Sequence, residues 1–316
     1  GNIELIKTIA EILLDEPNKF KQILKKNLSK GLPFPKAQAC ALAGYISQYP
    51  NLGIDKEVIT EFLKSPNNIL GIEYLKALLS LESSIKPVTI KRFQSDYHSN
   101  EIINGITSAR SIRKVILGSD KSDTLDNIRK NVPTKTLEIL IREFSKGMGP
   151  ISKDDYSQIL LYNLSHLSEN DLLEIFDVNE GLENRILQKS KKSGTFTELI
   201  KSLKTKRYTT TRLQRILTNM LININKTDII SFYKMGPQYL RVLGFTEKGQ
   251  EIIRKLNNFS PVPVITKTAH YKKYNNRYLE RMIEYDILAT DIYSIAYQNP
   301  NMRQKGWDFF NNPIRI

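Results

Sequence analysis

The sequence predicts an α/β portion followed by a longer, mainly α-helical half, on three observations. A short β-branched run, Pro87-Val88-Thr89-Ile90, precedes a loop and then a helix at Ala109–Leu117 closed by Gly118, and strand, loop, helix is the grammar of an α/β layer. Beyond Gly118 apolar residues recur at helical spacing behind the capping pairs Ser152/Asp155, Ser168/Asp171 and Thr195/Glu198. Between the two styles lies the polar stretch Gly118–Thr124, which sets the expected domains at 1–118 and 119–316.

The elements follow in order. Ile3, Ile6, Ile9, Leu13 and Leu14 fall on one helical face; Pro17 interrupts it, Phe20, Ile23, Leu24 and Leu28 resume it, and Gly31 with Pro33 end it. A second helix is expected from Pro35 to Tyr49, alanine-rich around Cys40, whose thiol should pack as a small buried hydrophobe. Ser65-Pro66-Asn67-Asn68 turns the chain into an apolar helix through Leu70, Tyr74, Leu75, Leu78 and Leu79. Pro87–Ile90 is expected as a buried strand. In the second half, short strands are expected at Leu240–Phe245 and Val262–Ile265, with a long helix at Arg277–Tyr297. There is no internal repeat.

Composition narrows the function classes. With 316 residues and 40% apolar content the chain can bury real cores, and no run approaches the roughly 18 apolar residues of a membrane span. The start has neither the basic residues nor the apolar stretch of a signal peptide, so a soluble, cytoplasmic protein without a membrane partner is expected. The only cysteine, Cys40, excludes a disulfide framework and a thiolate metal centre, and no metal ligands are assigned. The net charge of +14 asks for a polyanionic partner; by itself it does not choose among RNA, DNA, a membrane surface and a merely lysine-rich proteome. Its distribution says more. Between Ile186 and Thr218 nine cations face Glu198 alone, a net +8. Lys267, Lys272, Lys273, Arg277 and Arg281 form a second cluster interleaved with Tyr271, Tyr274 and Tyr278. Cations among aromatics suit RNA, whose unpaired bases stack on rings while its phosphates meet the charges.

The block that carries chemistry is Ser108-Ala109-Arg110-Ser111-Ile112-Arg113. A hydroxyl at a helix start caps free N–H groups, and those groups with the helix dipole attract phosphate. Arg113 lies about one turn in and could reach the same anion. An ordinary capped surface helix accounts for these letters equally well. They resemble the S-S-T-x-I-R pattern of the HxGH-type nucleotidyltransferases, with Ala109 in place of the second Ser and Arg110 in place of Thr.

Other blocks point the same way. Pro66-Asn67-Asn68-Ile69-Leu70-Gly71-Ile72-Glu73-Tyr74-Leu75-Lys76-Ala77-Leu78 is similar, nearly letter for letter, to a hallmark of the bacterial tRNA(Met) cytidine acetate ligases. Thr89-Ile90-Lys91-Arg92, Asp96-Tyr97-His98, Lys206–Leu217, Tyr239–Phe245 and Ala289–Tyr293 follow in that family's order. The resemblance implies a Rossmann-like nucleotidyltransferase portion before the helical half. It also implies tRNA modification, in which ATP activates acetate as acetyl-adenylate and the acetyl group passes to N4 of the wobble cytidine of elongator tRNA(Met). Free acetate has a poor leaving group, whereas its adenylate releases AMP; cytidine N4 is a weak nucleophile, so positioning should matter. By the same resemblance Asn67 and Arg92 join Ser108 and Arg113 as ATP-binding residues, with Mg²⁺ as a companion of ATP. Lys206, Arg207, Arg212 and Arg215, at the centre of the basic segment, are the expected tRNA-binding residues, and Tyr271–Tyr278 the expected base-stacking cluster. DNA is not an expected partner. No catalytic nucleophile is assigned, since direct attack by cytidine needs none.

The H-x-G-H motif of that superfamily is not among these residues: histidine occurs only at His98, His166 and His270. The reading therefore expects an early lobe outside this chain, and no acetyl-adenylate formation by the 316 residues alone. Two alternatives stay open on the residues: a small-metabolite adenylyltransferase, which would not need the basic half, and a noncatalytic RNA-binding protein, which would not bind ATP.

Overall fold

A computed structural model describes residues 2–48, 55–90, 107–118, 124–179, 181–205 and 207–316. The chain divides into two units, Gly1–Arg113 and Lys114–Ile316, so the division falls inside a helix rather than in the polar stretch after it.

The first unit is helical among the described residues. α1 (Ile3–Asp15) is capped by Asn2, whose side chain accepts the Leu5 N–H, and ends where Glu16 turns left-handed. Pro17 then opens α2 (Asn18–Ser29), so the proline separates two helices as its missing N–H and fixed φ require. α3 (Phe34–Ile46), α4 (Lys56–Phe62) and α5 (Pro66–Ser80) complete the layer. Ile9, Phe20, Leu42, Ile46 and Ile59 are fully buried in its core, and Ile72 and Leu75 of α5 close it. Each such side chain contributes about 1.5–3 kcal/mol by leaving water. α6 (Ala109–Gly118) begins in this unit and crosses the division.

The second unit opens with α7 (Thr124–Ile128) and α8 (Thr134–Ser145). A 3-10 turn, Lys153–Tyr156, then leads into α9 (Ser157–His166), α10 (Glu169–Leu173), α11 (Leu182–Ser190), α12 (Phe196–Leu203) and α13 (Thr210–Ile222). Two of the three capping pairs close reciprocally, at Ser152/Asp155 and Ser168/Asp171. At the third, Thr195 accepts the Glu198 N–H while Glu198 turns to the Gly194 N–H instead. Leu160, Leu182, Ile186, Leu199, Leu213 and Ile216 form the fully buried centre.

α14 (Lys226–Met235) leads into β1 (Leu240–Arg241) and β2 (Gly244–Phe245); α15 (Glu247–Phe259), β3 (Val264–Ile265), a 3-10 turn at Thr268–Tyr274, α16 (Arg277–Ile295), α17 (Trp307–Phe310) and β4 (Ile314–Arg315) follow. β1 pairs in parallel with β3, and β2 in parallel with β4, as separate two-stranded ladders. The run Leu240–Phe245 is thus two strands with different partners rather than one.

Two sequence expectations are corrected. Pro87–Ile90 is not a buried strand: Val88 and Ile90 are 85% and 91% exposed and no ladder includes them. A β-branched run becomes a strand only where a neighbour supplies its hydrogen bonds, and the ladders among the described residues all lie in the second unit. The α/β character expected of the first portion is therefore not displayed by its described residues. Cys40 is half-buried rather than buried, because Ala37, Ala41 and Leu42 take the core-facing positions of α3. No helix among the described residues is long and apolar enough to cross a membrane.

Candidate functional site

In the first unit the candidate residues stand at helix starts. Ser108 caps α6: its Oγ accepts the Ser111 N–H at 3.1 Å and lies 3.0 Å from the Ser111 hydroxyl, both serines being buried. The cap consumes one first-turn donor and leaves the N–H groups of Ala109 and Arg110 at the helix mouth. Arg113 is exposed, and its Nε donates to the Ala109 carbonyl at 3.1 Å. The guanidinium is thus drawn back toward the helix start, the direction in which helical side chains lean. Cation and first-turn N–H groups share one end of α6, an arrangement that can hold an anion.

Asn67 occupies the second position of α5, behind Pro66 at the first, and is exposed. Its neighbour Asn68 is tied down, donating to the Phe62 carbonyl at 2.9 Å, which leaves Asn67 as the outward amide of the pair. Arg92 lies outside the described residues, as do Asp96, Tyr97 and His98.

In the second unit the basic segment is organised around a carboxylate that charge counting missed. Thr209 caps α13, accepting the Arg212 N–H at 3.4 Å. From α13 both Arg212 and Arg215 reach Asp177, a residue in left-handed conformation in the loop after α10. Arg212 also donates from Nη2 to the Asp177 carbonyl at 2.9 Å and to Asn179 Oδ1 at 2.7 Å, and its guanidinium sits 5.5 Å from the ring centre of buried Tyr208. The two arginines differ in freedom: the Arg212 side chain is 22% exposed, that of Arg215 55%. Arg207 is exposed beside the same ring, at 6.0 Å. Lys206 lies outside the described residues. The helix face three residues apart that the sequence predicts is present, but both of its arginines pair with Asp177, and Arg212 is the more buried of the two. The signal that would have found this is the lone Asp177 between Phe176 and Val178, an acid in a left-handed turn upstream of the basic run.

The tyrosine cluster divides likewise. Tyr271 is buried against Ile265, Leu279 and Ile283, so its ring serves the core and not a base; Tyr274 is partly buried against the same cluster under the Lys273 ammonium. Tyr278 is the exposed one. Arg281 is held by Asp228 of α14 at 2.9 Å and lies 4.5 Å over the Tyr285 ring. Burial opposes ionisation of Asp228, but hydrogen bonds from Tyr285 and Arg281 outweigh it and hold the carboxyl below its ordinary range. Among the described residues no group of three or more His, Cys, Asp or Glu could hold a metal ion.

The chain is similar to known proteins over nearly its whole length. Residues 1–308 match the model of the HIGH nucleotidyl transferase family. The tRNA(Met) cytidine acetate ligase of Halothermothrix orenii is 40% identical over 313 residues, spanning 98% of this chain and 73% of that protein. The protein of the same name from a Thermoanaerobacter strain is 42% identical over 318 residues, spanning 100% and 74%. Among solved structures, Thermotoga maritima TmcAL in its apo form superposes with a TM-score of 0.91 at 29% identity, over 100% of this chain and 74% of that one. The form of the same protein bound to alpha-thio ATP gives 0.88.

Proposed function

The chain belongs to the HIGH nucleotidyl transferase family, among the tRNA(Met) cytidine acetate ligases, and from that premise we propose that it serves the ATP-dependent acetylation of the wobble cytidine of elongator tRNA(Met). The observation that carries the reading is the end-to-end similarity to ligases of that name, together with the likeness to a relative solved with an ATP analogue. In the reaction an acetate oxygen attacks the α-phosphorus of ATP and pyrophosphate leaves. Cytidine N4 then attacks the acyl carbon, AMP departs with the bridging oxygen, and N4 loses one proton.

Ser108, Arg113, Asn67 and Arg92 are the residues proposed to meet ATP. The start of α6 supports this, since the cap leaves two backbone N–H groups there and the exposed Arg113 stands one turn in, drawn back onto the Ala109 carbonyl. Lys206, Arg207, Arg212 and Arg215 are proposed to meet tRNA, with a division of labour: exposed Arg207 and Arg215 contact phosphates, while Arg212 holds the surface to the Asp177 loop. A guanidinium that is 22% exposed and already engaged by a carboxylate, a carbonyl and an amide has little surface left to offer a phosphate.

The test supplies the H-x-G-H lobe in the same polypeptide and looks for acetate- and ATP-dependent appearance of N4-acetylcytidine in elongator tRNA(Met), read by mass spectrometry of the digested RNA. Failure of acetylation while ATP and tRNA are both bound would overturn the reading. In the active protein Arg113→Ala should raise the KM for ATP about tenfold to a hundredfold, the loss expected of one charge-assisted phosphate contact. Its tRNA affinity should stay at the wild-type value.

A further inference from the structure

The loop that gathers the two arginines also carries a ring. Phe176, half-buried and next to Asp177, meets Tyr233 of α14 with ring centres 6.0 Å apart. Tyr233 is 77% exposed, and among the described residues its hydroxyl has no partner in the protein. A tyrosine that serves the core hides its ring and finds a partner for its hydroxyl. Tyr285 and Tyr239 are of that kind, donating to Asp228 and Asp286 from half-hidden rings. Tyr233 does neither, so its ring adds little to the fold.

The ring is nevertheless held in place. Ile175 forms a β-bridge with Asn225, the Lys226 N–H donates to the Glu174 carbonyl at 2.7 Å, and Asn225 caps α14 through the Asp228 N–H at 2.8 Å. Loop and helix are thus fastened on the backbone, and Phe176, the next residue after the bridge, backs Tyr233 from a fixed position. On the residue after that, Asp177 holds Arg212 and Arg215, two cations to one carboxylate, and the Arg215 side chain is 55% exposed. Ring and surplus cation are therefore reached from consecutive residues of one loop. A bare flat ring beside a surplus cation is the pairing that single-stranded RNA uses, base on ring and phosphate on cation. An apolar protein partner would bury the guanidinium without answering its charge.

We propose that Tyr233, backed by Phe176, stacks one unpaired base of the bound tRNA, with a phosphate of the same nucleotide on Arg215. The proposal rests on the tRNA reading above and gives it a stacking residue, which the buried Tyr271 cannot be. Every base has a flat face, so this contact anchors an open loop of the RNA without reading its sequence.

The experiment measures binding of elongator tRNA(Met) over a salt series for the wild type, Tyr233→Ala, Tyr233→Leu, Tyr233→Phe, Arg215→Ala and the Tyr233→Ala/Arg215→Ala double variant, with thermal unfolding as the folding control. Tyr233→Ala should bind about fivefold to a hundredfold more weakly, the loss expected of one stacked base. Tyr233→Leu, which keeps an apolar side chain against Phe176, should be similarly weak. Tyr233→Phe keeps the ring and should bind as the wild type does. The slope of log K against log salt should stay unchanged in all three, because stacking releases no counterions. The double variant should lose less than the product of the two single losses, since one nucleotide touches both residues. A blunt RNA duplex, with no unpaired base, should bind Tyr233→Ala and the wild type alike. Wild-type affinity for tRNA in Tyr233→Ala or Tyr233→Leu would overturn the proposal alone. Equal weakness of Tyr233→Phe and Tyr233→Ala would mean a hydroxyl contact in place of stacking, and strictly multiplicative losses would mean two unrelated contacts; either result overturns it too. Absence of any tRNA binding by the wild type would sink the tRNA reading and this inference together.

Discussion

At the residue scale, Asp177 decides what the basic segment can do. A charge count treats Arg212 and Arg215 as equals; the structure gives both to one carboxylate but buries only Arg212. Arg215→Ala should therefore weaken tRNA binding and lower the salt slope by about one unit, as loss of a phosphate contact does. Arg212→Ala should act first on stability, because it removes one of the two cations on a partly buried Asp177, frees the carbonyl and amide it holds, and empties the space beside Tyr208. Thermal unfolding separates the two, with Arg212→Ala melting well below Arg215→Ala. Gly147 is a second single-residue constraint. Its φ is +72°, and a Cβ there would stand 2.8 Å from that of Asn299, whose N–H donates to the Gly147 carbonyl. Gly147→Ala should lower the melting temperature by several degrees, at about 2–4 °C per kcal/mol for a domain of this size.

At the element scale, α14 and α16 are joined by a polar clamp beside the edge-to-face pair of Phe232 and Tyr285. Asp228 accepts from Arg281 and from the Tyr285 hydroxyl across the two helices, and caps back to Asn225 through its own N–H. Its carboxyl is held below the ordinary range. A depressed carboxylate contributes stability above its unfolded pKa and loses it as pH falls through the folded value. Asp228→Asn should thus melt lower than wild type at neutral pH, and the difference should shrink below about pH 4, where the unfolded-state carboxyl becomes protonated. A difference that stays constant down to that pH would mean that the clamp acts by packing and not by charge. The helices themselves were legible: Pro17 and the capping pairs set boundaries through local hydrogen bonds. The short strands were located but not partnered, because a two-residue strand carries no information about which distant segment supplies its ladder.

At the scale of the whole molecule, a net charge of +14, of which +8 falls in one segment, should make tRNA binding steeply salt-dependent. With about four phosphates neutralised, Arg212 being committed elsewhere, the slope of log K against log salt should lie between about −3 and −4. A slope near zero would mean that the basic face only meets solvent. The distribution of charge was readable without coordinates, since it needs only counting. Its internal pairing was not, since Asp177 lies 35 residues from Arg212 along the chain and enters the count as one acid among 33.

What the sequence determined by itself is what local chemistry and family letters carry. The helix start at Ser108 follows from a hydroxyl that can cap only the backbone just ahead of it. Kinship to the cytidine acetate ligases follows from ordered blocks such as Pro66–Leu78. What only the tertiary structure decided is every property that depends on a partner far along the chain. It exposed Val88 and Ile90 where the sequence predicts a buried strand, and turned Tyr271 into the core where it predicts a ring free for bases. It also brought Arg241 to Asp308 across 67 residues, leaving the other carboxylate oxygen buried without a hydrogen-bond partner among the described residues. Burial and long-range pairing are set by competition among all segments for one interior, and no window of the sequence contains that competition.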